Sequence, residues 1–273
     1  MKRRISCFAC AALLLALILW TIWGNTALEV NEYTITSEKI PDSFDGFRIA
    51  QISDLHNAEF GAHNEQLLNL LRDAAPDIIV ITGDLVDSRN TRIDIALRFA
   101  EAAVKIAPCY YVTGNHESRI AEYPLLKAGL IDIGVTVLEN EAVMLEQGGE
   151  AITLLGVDDP DFQTFPISTR LDSLVPENTY TVLLSHRPEL FDTYASCGID
   201  LVFSGHAHGG QFRLPFIGGL AAPHQGLFPK YDSGLYTDGT TNMLVSRGIG
   251  NSIFPFRFNN PPEIVVVTLF SQF

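Results

Sequence analysis

The sequence predicts an α/β fold of two packed β-sheets flanked by helices, and three observations carry that expectation. Short apolar runs, RIAQISD (48–54), DIIVITGD (77–84) and CYYVTGN (109–115), each close on polar residues in the manner of β-strands. Between them NEQLLNLLRDAA (64–75) and TRIDIALRFAEAAVKIA (91–107) place apolar residues at helical spacing, and Pro76 and Pro108 stand behind them as stops. Further on, VTVLEN, AVMLEQ, AITLLGVDD, TYTVLLSH, LVFSGH, TNMLVSRG and EIVVVTLF follow in turn. Helices there are confined to Ser168–Leu174 and Pro188–Cys197. Alternation first and meandering strands later is the pattern of sheets covered by helices.

The first element is of another kind. Lys2, Arg3 and Arg4 precede Ile5–Trp23, a 19-residue run without a charge, long enough as a helix to span a hydrocarbon core. Trp20 and Trp23 fit interfacial anchors. Residues 1–25 therefore read as an uncleaved signal anchor, a transmembrane helix, rather than a cleaved peptide with its shorter apolar run. Bases in front of the run and none close behind it place the rest of the chain outside the cytoplasm. Gly24–Glu32 reads as a polar stalk, and residues 28–273 as one domain without linker or repeat.

Composition narrows the partners. A net charge of −14 argues against a sequence-independent grip on nucleic acid, which needs a Lys/Arg surface. Nothing indicates a protein partner. Cys109 and Cys197 lie outside the apolar run in no zinc-like spacing, so they read as free buried thiols, with one disulfide as the other reading.

The strands end in an unusual set of side chains: Asp54 and His56, Asp84 and Asp87, Asn115 and His116, His186, then His206 and His208. Ligands of open α/β sheets bind outside the carboxyl ends of the strands. Singly, each residue has a plain account: Asp84 as a turn residue, Asn115 as a left-handed turn residue, His186 as a satisfied core histidine. Together they do not, because gathered acids repel one another and gathered imidazoles compete for donors. Two divalent cations remove the difficulty. Carboxylate, imidazole and amide oxygen suit Mn, Fe or Zn, and the absence of thiolate argues against a structural zinc site.

In order along the chain, Asp54-Leu55-His56, Gly83-Asp84-Leu85-Val86-Asp87, Gly114-Asn115-His116-Glu117, His186 and Gly205-His206-Ala207-His208 resemble the motifs DxH, GDxxD, GNHE, H and GHxH of the calcineurin-like metallophosphoesterases. The resemblance implies a four-layer αββα sandwich of two mixed sheets with outer helices. It also implies that Asp54, His56 and His208 hold one metal, that Asn115, His186 and His206 hold a second, and that Asp84 bridges both. His116 would face the leaving group, oriented and charged by Asp87. Ser88 stands where the family's Ser/Thr protein phosphatases carry arginine, which makes phosphoproteins a poor substrate expectation. The tail, with GGQFRLPFIGGL, GLFPKYDSGLY, VSRGIG and RFNNPPEIVV, is similar to membrane-anchored or exported bacterial members.

These readings converge on a dinuclear phosphoester hydrolase, with manganese among the candidate metals. A metal-bridging hydroxide would attack a diester or pyrophosphate, with a lipid or cell-envelope phosphate as the expected substrate. A monoesterase, a nuclease with the same site and a non-catalytic scaffold are the rivals. Phosphate needs a local cation, and Arg213, just after the GHAH loop, is the first choice among Arg187, Arg213, Lys230, Arg247 and Arg257. Residues 214–223, LPFIGGLAAP, read either as ordinary packing or as an apolar rim touching lipid.

Overall fold

A computed structural model describes residues 2–162, 165–176 and 178–272, with side chains described from Ala11 onward. Helix α1 (Lys2–Thr26) opens the chain. Among the described residues no helix is long and apolar enough to cross a membrane. The side chains of Lys2, Arg3 and Arg4 and the start of the apolar run lie outside the described residues. The remainder folds as β1 (Glu29–Ser37), β2 (Arg48–Ile52), α2 (Glu65–Asp73), β3 (Ile78–Thr82), α3 (Ile93–Ala103), β4 (Cys109–Val112), α4 (Tyr123–Ile133) and β5 (Thr136–Val137). There follow β6 (Glu141–Gln147), β7 (Glu150–Gly156), α5 (Ile167–Leu174), β8 (Thr181–Leu184), α6 (Phe191–Ser196) and β9 (Leu201–Ser204). Four two-residue strands make two small hairpins, β10 (Arg213–Leu214) with β11 (Gly218–Gly219) and β12 (Ala221–Ala222) with β13 (Gly226–Leu227). Strands β14 (Gly234–Asp238), β15 (Thr241–Val245) and β16 (Glu263–Ser271) complete the chain.

Two six-stranded sheets result, in the orders β1-β16-β2-β3-β4-β5 and β14-β15-β9-β8-β7-β6. Strands β2 to β5 run parallel, as do β7, β8, β9 and β15, while antiparallel pairs join β16 to β2 and the edge strands β6 and β14 to their neighbours. Both sheets are therefore mixed. The parallel strands β3 (IIVIT), β8 (TVLL) and β9 (LVFS) are buried throughout, which is why they read as unbroken apolar runs rather than alternating ones. One core cluster fills the space between the sheets, with Ile49, Val80, Val112, Leu154, Val182 and Phe203. A second lies under α2, α3 and α4, and a third under α5 and α6. The layers are helix, sheet, sheet, helix, as expected.

Three elements depart from the sequence reading. Glu29–Glu32 do not form a stalk; they begin β1, which pairs parallel with β16 from Glu29↔Glu263 to Ser37↔Ser271. Its residues are mostly polar because an edge strand needs only one buried face, and in β1 only Ile35 is fully buried. Helix α4 occupies a stretch where no helix was expected, and β14 adds an edge strand. Cys109 and Cys197 are both free; Cys109 is buried and Cys197 half-buried.

Candidate active site

The two sheets bring their carboxyl ends to one crevice. Asp54, Asp84, His186 and His206 each stand two residues beyond the last residue of β2, β3, β8 and β9, and Asn115 stands three beyond β4. The loops bind one another through backbone hydrogen bonds. Asp54 N–H donates to Gly83 O (3.1 Å), His56 N–H to Asp84 O (3.0 Å) and Gly205 N–H to His186 O (3.2 Å).

This close approach strains the backbone. Asp54, His56, Asp84, His206 and His208 all have φ between 44° and 65°, the left-handed region that side chains other than glycine's disfavour. A Cβ on Gly83 would lie 2.6 Å from Gly114 Cα, and one on Gly205 would collide with Ser53 Oγ and Asp54 Oδ2. Concentrated strain of this kind marks residues aimed by the fold rather than relaxed into it.

Three buried groups of donors result: Asp54, His56 and His208; His56, Asp84 and His116; and Asp84, His186 and His206. His206 and His208 thus fall on opposite sides, and Asp84 Oδ2 lies between them, 3.2 Å from His186 Nε2 and 3.5 Å from His56 Nε2. Asp84 Oδ1 accepts the His116 backbone N–H (2.8 Å).

The protonation pattern asks for cations. His186 Nδ1–H donates to the Thr82 carbonyl (2.7 Å), so its Nε2 faces inward, 3.2 Å from His206 Nδ1 and from Asp84 Oδ2. His56 Nε2 and His208 Nε2 face each other at 3.2 Å. Asn115 Oδ1 and His56 Nδ1 are buried with no hydrogen-bond partner among the described residues. Burial lowers the affinity of His186 for a proton, but Asp84 and Asp54 outweigh it and raise its pKa to about 10. Burial pushes Asp54 and Asp84 up, yet the surrounding imidazoles hold both carboxyls low. Burial takes His208 down to about 3, and burial with His186 and Arg187 also lowers His206. Protons alone leave this set badly matched, whereas lone pairs from carboxylate, imidazole and amide fit divalent cations.

His116 lies 5% exposed at the edge of the cluster, its ring 4.5 Å from that of His56. Its Nδ1 accepts the Ser88 backbone N–H (3.0 Å), which puts the proton of the neutral ring on Nε2, beside Ser252 Oγ at 3.3 Å. Asp87, expected to orient and charge His116, faces its Nδ1 without a hydrogen bond, and its charge acts to raise the His116 pKa. It lies 3.7 Å from His116 Nδ1, too far for a hydrogen bond, and it is bound by the backbone and guanidinium of Arg89. Burial lowers the His116 pKa, outweighing Asp84 and Asp87.

The cations also differ from expectation. Arg213 donates to Gly209 O (2.9 Å) and pairs with Asp232 (3.0 Å), in a recess with Glu29, Tyr33, Arg247 and Glu263. The structure does not bring it to the imidazoles. Arg247 pairs with Glu29 and Glu263, and Lys230 is exposed beside Asp192. Arg187 and Arg257 border the cluster instead. Arg187 is held by both oxygens of Asp159 and reaches His206 Nε2 (3.3 Å) and His224 Nδ1 (2.7 Å). Arg257 is fully buried, 3.5 Å from His208 Nδ1.

Two residues were missed. Glu117, the last residue of GNHE, accepts backbone N–H groups from Asp84 (2.9 Å), Gly114 (2.8 Å) and Val86 (3.4 Å), tying the two loops together. Its place in the motif was the available signal. His224 stacks on His206 with ring centroids 5.1 Å apart; it follows β12, a two-residue strand that the sequence reading did not expect, and so gave no signal.

Relatives share this arrangement of chain. Over 259 residues the chain is 33% identical to the uncharacterized metallophosphoesterase YkuE of Bacillus subtilis (strain 168), covering 89% of this chain and 85% of that one. Over 238 residues it is 27% identical to the phosphodiesterase YaeI of Escherichia coli (strain K12), covering 82% of each. Its fold is similar to the crystal structure of TT1561 of Thermus thermophilus, with a TM-score of 0.52 at 14% identity over 75% of this chain and 90% of that one. Residues 47–210, from β2 to the end of the GHAH loop, match the calcineurin-like phosphoesterase family, so the chain belongs to that family and is a metal-dependent phosphoester hydrolase.

Proposed function

We propose that the protein is a dinuclear phosphodiesterase tethered to a membrane by residues 1–25, its domain of residues 28–273 lying outside the cytoplasm and acting on a lipid or cell-envelope phosphate. The observation that carries the reading is the division of donors about Asp84, with His208 beside Asp54 and His56 and His206 beside His186. Asp54, His56 and His208 would hold one cation, and Asn115, His186 and His206 the other, with Asp84 shared. The cations, of the class Mn, Fe or Zn, supply charge neutralisation for the phosphoryl oxygens and an acidified water.

The chain's own residues do the rest. His186 is fixed as an Nε2 donor by the Thr82 carbonyl. Buried Asn115 Oδ1, without a partner of its own among the described residues, is free to serve as the amide ligand. His116 holds a proton on Nε2 and offers it to the leaving oxygen, where negative charge develops. Burial first, then His186 and the buried Arg187 pinned by Asp159, keep His206 from taking up a proton. The similarity to a protein named a phosphodiesterase supports a diester over a monoester, and the uncharged run Ile5–Trp23 with exposed Trp20 and Trp23 supports the tether.

The test is hydrolysis of bis-p-nitrophenyl phosphate and p-nitrophenyl phosphate by the full chain with added Mn. Faster turnover of the diester, abolished by a chelator, is expected. Turnover of the monoester alone, or of neither with Mn, Fe or Zn, overturns the reading.

A further inference from the structure

Beside the site lies a surface that hydrolysis does not use. Residues 214–229 and 248–256 contain no Asp, Glu, Lys or Arg, in a chain with a net charge of −14. Apart from Ile249, which is buried, these stretches leave most of their large apolar side chains exposed. Phe216 is fully exposed at the tip of the β10–β11 hairpin, and Leu227 and Phe228 are 69% and 60% exposed at the end of the next one. Ile253, Phe254 and Phe256 are exposed on the facing loop. Isolated exposed apolar residues are ordinary; a contiguous charge-free group of this size is not.

The group is contiguous because the two stretches are tied together. The ring of Phe212 meets those of Phe254 and Phe256 at 5.6 and 5.4 Å, and Gln211 Nε2 donates to the carbonyls of both (3.3 and 2.7 Å). Between them opens an apolar pocket of about 210 Å³, walled by Ala221, Ala222, Pro223, Ile253 and Phe254 and floored by His208. Ile253 and Phe254 of the exposed loop thus line a pocket that reaches His208 of the site.

The same face carries the end of α1. Asn25 Oδ1 accepts the Arg257 backbone N–H (2.7 Å), and Asn25 Nδ2 donates to the Arg257 carbonyl (2.9 Å). Asn251 Nδ2 also reaches Asn25 Oδ1 (3.4 Å). The loop bearing Ile253, Phe254 and Phe256 is thereby bound at its base to a helix whose exposed side chains include Leu13–Leu15, Leu17–Trp20, Ile22 and Trp23. Apolar helix, apolar loop and pocket mouth form one surface. Its lack of charge suits the lipid interface, and an acidic body would hold itself off that interface unless an apolar edge entered it.

We propose that residues 214–228 and 252–256 form a rim that enters the bilayer surface and seats the mouth of the pocket against it. Lipid is then presented to His208 from the membrane side without first leaving the bilayer. The orientation rests on the reading of α1 as the tether.

The test is lipid photolabelling of the full-length protein in phosphatidylcholine vesicles carrying a diazirine-bearing phosphatidylcholine. Trypsin isolates the rim, because Arg213, Lys230, Arg247 and Arg257 bound peptides 214–230 and 248–257. Lipid adducts on both peptides, in addition to those on α1, are expected. In the variant F216S/I217S/L227S/F228S, adducts on 214–230 should fall at least fivefold while those on α1 persist, with an unchanged circular-dichroism spectrum. Adducts confined to α1 in the wild-type protein overturn the proposal. Failure of diester hydrolysis leaves this readout untouched, so the two readings fail separately.

Discussion

Ser88 fixes the tautomer of His116 through its backbone N–H, an arrangement that side-chain identities alone do not reveal. The family resemblance implied Asp87 as the partner, but a fold places a backbone donor as readily as a carboxylate. His116→Ala should therefore lower kcat by about 100-fold on an alkyl diester with a poor leaving group, and far less on a p-nitrophenyl ester. Asp87→Asn should change either rate by less than about threefold on the same reasoning. Equal losses for the two variants in steady-state kinetics would return Asp87 to the role first expected of it. Arg213 carries a similar lesson, since proximity in sequence to the GHAH loop does not set the direction of a side chain. Arg213→Ala should leave kcat/KM unchanged while costing about 1 kcal/mol in denaturant unfolding, through its partly exposed pair with Asp232.

At the scale of elements, the polar residues at the strand ends were legible because each buried strand changes abruptly from Val, Ile and Leu to Asp, Asn or His. Helix α4 was not legible: Leu126 and Leu130 are buried, but Leu125 and Ile131 are exposed, so apolar residues on both faces blur the helical period. Strand β1 was hidden for the opposite reason, with one fully buried residue in nine. The loops between strands and helices carry the strain, and their tolerance is small. Gly205→Ala would force Cβ into Ser53 and Asp54, displacing the carboxylate that faces His208. Loss of about 2 kcal/mol of stability and of one bound metal per chain is the expected result, read by denaturant melts and elemental analysis.

Across the whole molecule the site is a joint between two sheets, and Glu117 shows how that joint depends on charge. Burial and the charge of Asp84 raise its carboxyl to about 7, against the three backbone N–H groups that favour its ionised form. A carboxyl that binds its proton more tightly when folded stabilises the protein below the unfolded pKa, near 4.5, and that contribution is lost as pH rises through about 7. In metal-free protein this amounts to about 3 kcal/mol between pH 4 and 8, and Glu117→Gln should remove that slope from the difference between the two proteins. A slope unchanged by the substitution would place the titration elsewhere. The two mixed sheets between helices were readable from sequence, as were seven of the strand-end residues that the fold gathers: Asp54, His56, Asp84, His116, His186, His206 and His208. The choice among the five candidate cations was not, because Arg187 and Arg257 reach the cluster from segments whose direction only packing decides.

The central claim is that Asp84 divides two cation sites, one holding His208 and the other His206. An anomalous-scattering map of the metal-loaded protein tests it most directly. Two peaks are predicted, with Asp84 touching both, His208 touching the one beside Asp54 and His206 the one beside His186. A single peak contacted by both His206 and His208 would contradict the account.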